Sequence, residues 1–76
     1  MKRAYLKAFS TLGKMGVPVK EDNYGDGFLI EPSDWANYWR QDWGIFGVDP
    51  RIEKVLQPLG LFAEWQNPEV LKVYKL

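Results

Sequence analysis

The sequence predicts a single α+β domain over residues 1–76, with three helices and a small antiparallel sheet in the order helix, strand, helix, helix, strand, strand. Three observations predict it. Apolar residues recur at helical spacing near the N-terminus, helix-start signals stand at Ser33-Asp34 and Asp49-Pro50, and the chain closes on two apolar runs around a proline turn. A chain of 76 residues supplies one domain at most and hides a smaller share of its surface than a larger one, so the core must be dense. With no cysteine and no histidine, disulfides and the usual zinc, haem and iron–sulfur ligand sets are excluded. Aromatics are the remaining means: four Trp, four Tyr and four Phe, each able to bury about 150–250 Å².

In the first helix, Tyr5, Ala8, Phe9, Leu12 and Met15 share one side, with Arg3, Lys7, Ser10 and Lys14 on the other. Gly13, Gly16 and Pro18 end it, because the residue before proline is pushed toward extended backbone. The stretch VPVKEDNYGDGFLIEP then reads as a short extended piece, a turn rich in Gly, Asn and Asp, and a strand around Phe28 to Glu31. Ser33 is a suitable N-cap for the second helix, Asp34 suits its positive end, and Trp43-Gly44 reads as its end. Asp49-Pro50 opens the third helix as cap and first helical residue. That helix buries Ile52, Val55, Leu56 and Leu59, shows Arg51, Glu53, Lys54 and Gln57 to solvent, and stops near Pro58. The remaining LGLFAEWQNPEVLKVYKL forms two extended runs about Gln66-Asn67-Pro68-Glu69, with Leu71 and Val73 on one face and Val70 and Tyr74 on the other.

Charge is zero in sum and uneven along the chain. Residues 1–20 carry Lys2, Arg3, Lys7, Lys14 and Lys20 with no acid, whereas residues 21–49 carry seven acids against Arg40. Lys7 interrupts the apolar residues of the N-terminus and no small-residue cleavage site follows, unlike a secretory signal. No run approaches the roughly 18 apolar residues of a membrane span. The expectation is a cytoplasmic protein that does not enter the membrane.

The stretch GVDPRIEKVLQPLGLFAEW, through Ile52, Val55, Leu56, Leu59, Gly60 and Leu61, resembles the third helix of winged helix-turn-helix domains running into the wing. The predicted element order is similar to that family's over nearly the whole chain. The resemblance implies a groove-reading surface at Arg51, Lys54 and Gln57, supported by Arg3 and Lys7 in the first helix and Lys72 in the closing hairpin. Asp49 and Glu53 stand on or beside that surface, and a neutral chain lacks the basic excess that phosphate neutralisation calls for. Winged-helix domains also include protein-binding modules, which fits the neutral charge better.

EDNYGDGFLIE partly matches a calcium loop, with Asp22, Asp26 and Gly27 in place. Tyr24 and Ser33 stand where two further ligands belong, so a solvated turn explains the same letters. Catalysis finds no histidine base, no cysteine nucleophile, no phosphate loop, and no base at a recognisable spacing from Ser10 or Ser33. The expectation is a protein without catalytic residues, cofactor or metal.

Trp35, Trp39 and Trp43 recur every fourth residue and fall within about 80° of one another on a helical wheel. A stripe that wide, flanked by Tyr38, does not all fit inside so small a domain: Trp39 is expected in the core and part of the array at the rim. Aromatics at a rim are common protein-interface anchors. The leading expectation is therefore a noncatalytic protein-binding module using Trp35, Trp43, Trp65 and Tyr74, with a second copy of the chain among the candidate partners. The alternative is a winged-helix nucleic-acid binder using Arg3, Lys7, Arg51, Lys54, Gln57 and Lys72.

Overall fold

The computed structural model describes residues 2–23, 25–31 and 47–75. The predicted second helix, with Trp35, Trp39 and Trp43, lies outside the described residues. Helix α1 spans Arg3–Lys14 and buries Tyr5, Ala8 and Leu12. Met15 departs from its expected place in that stripe: it caps the helix and is 36% exposed. Beyond it Gly16 takes φ 93°, and the amides of Gly16 and Val17 donate to the carbonyls of Gly13 and Leu12. This paired arrangement satisfies two carbonyls that a helix end leaves open.

Strands β1 (Val19–Glu21) and β2 (Phe28–Ile30) then form an antiparallel hairpin. Helix α2 spans Pro50–Leu56, capped by Asp49, whose side chain accepts from the Arg51 amide at 2.9 Å. Pro58 falls in a 3-10 turn, Gln57–Leu59, and Gly60 at φ 72° releases the chain into β3, Leu61–Asn67. A two-residue turn, Pro68-Glu69, leads to β4, Val70–Lys75. Asn67 Oδ1 accepts from the Glu69 amide at 2.8 Å, the local bond that favours asparagine in turns.

The four strands lie in the order β1-β2-β4-β3, every pair antiparallel. This corrects the predicted architecture. The α+β class is right, but the described residues hold two α-helices and a four-stranded sheet, not three helices in winged-helix order. Val19–Glu21 is too short to show an alternating pattern of its own. It becomes a strand by pairing Val19 with Ile30, Lys20 with Leu29 and Glu21 with Phe28. The Leu-Gly-Leu step that suggested the wing is a helix end stopped by a left-handed glycine, which any helix entering a hairpin can use.

Both helices pack on one face of the sheet. Tyr5, Ala8 and Leu12 of α1 and Ile52 and Leu56 of α2 join Phe28, Ile30, Leu61, Leu71 and Val73 of the strands in a single core. Phe9 meets Phe28 edge to face with centroids 5.3 Å apart, a geometry that adds about 0.5–1.5 kcal/mol to simple burial.

The fold repeats itself. The unit α1-β1-β2 and the unit α2-β3-β4 have matching parts: Leu12, Gly16, Val17 and Val19 occupy the places of Leu56, Gly60, Leu61 and Ala63. The Gly16 amide donates to Gly13 just as the Gly60 amide donates to Gln57. Hairpin registers match as well, Lys20↔Leu29 in the first corresponding to Glu64↔Lys72 in the second. Across the centre, Phe28↔Val73 and Ile30↔Leu71 exchange about the Leu29↔Lys72 pair, which places an approximate two-fold axis through the sheet there. In this correspondence the buried N-cap of α2, Asp49, takes the place of buried Tyr5 in α1.

Candidate functional site

Side chains alternate across a strand, so the residues between the core positions face away from the helices. One row on this outer face runs across all four strands as Lys20, Leu29, Lys72 and Glu64. Toward one end of the sheet lies the cross-strand pair Phe62 and Tyr74, and toward the other end lies Val70. Leu29, Phe62, Val70 and Tyr74 are all half-buried.

The Phe62 and Tyr74 rings are stacked, centroids 5.3 Å apart and planes 22° from parallel. Gln66 Nε2 donates to the Tyr74 hydroxyl at 2.5 Å. The Lys72 ammonium sits 5.2 Å from the Tyr74 ring centroid and 2.8 Å from Asp22 Oδ2. Its hydrogen bond to Asp22 raises the Lys72 pKa above its ordinary value, outweighing the desolvation that lowers it. At the Val70 end an open cavity of ≈ 510 Å³ is lined by Leu29, Ile30, Pro68 and Val70 with the charged residues Lys20, Glu31 and Glu69.

The residues expected to bind protein are not all on this face. Tyr74 is. Trp65 pairs with Leu71 on the inner face and packs against the core, while Trp35 and Trp43 lie outside the described residues. Leu29 and Phe62 were not singled out from sequence, whereas Val70 was placed with Tyr74 on the hairpin face opposite Leu71 and Val73. Phe62 carried a signal, since strand alternation puts it on the side opposite buried Leu61, but its pairing with Tyr74 depends on register.

The nucleic-acid set is divided. Arg3 and Lys7 are exposed on α1, Lys54 and Gln57 on the helix α2 side. Arg51 grips both carboxylate oxygens of Asp49, at 2.6 Å through Nη2 and 3.1 Å through Nε. Lys72 is on the opposite face of the sheet, held by Asp22. In the loop that partly matched a calcium site, Asp22 bonds Lys72 and Asp26 lies 3.8 Å from Lys2. Among the described residues no cluster of three or more acidic, cysteine or histidine side chains is placed to hold a metal, and no helix is long and apolar enough to cross a membrane. Compared with known protein families, with curated proteins and with solved structures, the chain matches none.

Proposed function

We propose that this domain is a noncatalytic protein-binding module, and that the outer face of its sheet meets the partner. The observation that supports this reading is the apolar content of a face that, among the described residues, neither α1 nor α2 covers: the Phe62–Tyr74 stack at one end, Leu29 at the centre, and Val70 beside the cavity at the other. Grouped apolar side chains on a small domain mark contact surfaces, and aromatics carry a disproportionate share of interface energy. Glu64 and Lys20 at the two sides of the same face supply the polar rim such interfaces have. Trp35 and Trp43 keep the anchoring role proposed for them from the sequence.

The test is affinity capture from the native host with quantitative mass spectrometry, comparing the parent with Phe62→Ala and Tyr74→Ala after each variant is shown to be folded. A partner bound through this face loses about 2 kcal/mol, or roughly thirtyfold in affinity, when a central aromatic is truncated. Equal recovery of every protein by parent and variants would reject the outer face as the binding surface.

A further inference from the structure

Net charge zero conceals a segregation. In the helix layer, residues 2–16 and 49–59, six cations stand against two acids, Asp49 and Glu53. Asp49 is 2% exposed and bound to Arg51, so little of its charge is offered to solvent. The other acids among the described residues are on the sheet and its loops.

On α1 the cations form one stripe. Arg3, Lys7 and Lys14 fall within about 40° on the helical wheel, roughly opposite Tyr5, Ala8 and Leu12, and Arg3 to Lys14 spans about 16 Å along the axis. Lys54 extends the positive charge onto the exposed side of α2, and Arg51 occupies the place on α2 that Lys7 holds on α1. Arg3, Lys7, Lys14 and Lys54 form no ion pair with another described residue.

We infer that the helix layer binds the phosphate backbone of duplex nucleic acid. The exposed cations Arg3, Lys7, Lys14 and Lys54, without an ion-pair partner among the described residues, match a ligand whose charges repeat about every 1.7 Å of axis. An anionic bilayer fits less well, because the apolar side of α1 is used in the core and cannot insert. The contact reads backbone charge without sequence, and it is separate from the protein-binding face on the other side of the domain.

The experiment is fluorescence anisotropy with a short labelled DNA duplex across a salt series. With four phosphates neutralised, affinity falls about 100-fold between roughly 50 and 200 mM salt. Reversal of the α1 charges, Arg3→Glu with Lys7→Glu, removes binding, whereas Lys20→Glu and Lys75→Glu on the sheet leave it. Lys54→Glu gives a second reading if the α1 variant does not fold. No binding at the lowest salt, or binding that survives both helix-layer reversals, overturns the inference. So does binding to phosphatidylserine vesicles without binding to duplex.

Discussion

Lys72, at the centre of β4, reaches past β2 to place its ammonium 2.8 Å from Asp22 in the first hairpin's loop. The contact ties the two αββ units together on the face opposite the core, where only 20% of the lysine side chain and 10% of the aspartate are exposed. Such a pair lies between the weak surface bridge and the buried bridge whose single-partner removal is costly.

Lys72→Met should therefore lower stability by about 1–2 kcal/mol near neutral pH. The folded pKa of Lys72 is raised above 10.5 by Asp22. A lysine raised on folding stabilises fully below its unfolded pKa and loses that contribution as pH climbs through the folded one. The gap between parent and Lys72→Met in denaturant midpoint should stay constant up to about pH 10 and close above it. A gap that persists unchanged in strong alkali would detach the effect from the ammonium.

Asp49 and Arg51 divide their bonds unequally. Asp49→Ala removes the cap of α2 together with the guanidinium contacts and should cost about 2 kcal/mol or more. Arg51→Ala leaves the cap bond to the backbone amide in place and removes a side chain that is 61% exposed, so it should cost about 1 kcal/mol or less. Urea titrations that rank the two variants in the opposite order would contradict the cap assignment.

Gly16 and Gly27 share φ 93° but not surroundings. A Cβ at Gly16 meets nothing within 4 Å, whereas at Gly27 it would stand 2.5 Å from the Val73 carbonyl oxygen and 3.3 Å from the Tyr5 ring. Gly16→Ala should cost about 1 kcal/mol, the ordinary cost of left-handed backbone. Gly27→Ala should cost well beyond that, because β2 must move off β4 to admit the methyl. Thermal melts of the two variants compared side by side distinguish backbone preference from steric approach.

The helices were the legible part of this fold. A periodic stripe identified α1, and cap chemistry at Asp49-Pro50 identified the first residue of α2, because both signals are local. The closing hairpin was legible for the same reason: Asn67-Pro68 makes its turn and Leu71 and Val73 alternate into the core. What could not be read was pairing between distant segments. Val19–Glu21 has no pattern of its own, and the β2–β4 junction that builds one sheet from two hairpins joins residues far apart in sequence.

The internal repeat was hidden because its matching positions share conformation and burial more than residue type. Between α1-β1 and α2-β3 only Leu12/Leu56 and Gly16/Gly60 keep the same residue at the corresponding core and turn places, while Tyr5 is answered by Asp49. The binding residues were legible by type, and by face for Tyr74 but not for Trp65. Trp65 and Tyr74 both stood out as aromatics in the hairpin, yet the register sends Trp65 inward beside Leu71 and Tyr74 outward onto Phe62.

The outer face is tested most directly by photocrosslinking in the native host, with a benzophenone side chain placed at Leu29 and, as a control on the helix layer, at Ser10. Leu29 is central to the proposed surface and half-buried, while Ser10 is exposed on α1. After nuclease treatment, protein adducts, self-adducts included, are expected from Leu29 and not from Ser10. Adducts from Ser10 alone, or none from Leu29 in cells where the folded protein is present, would contradict the assignment of the sheet's outer face as the protein-binding surface.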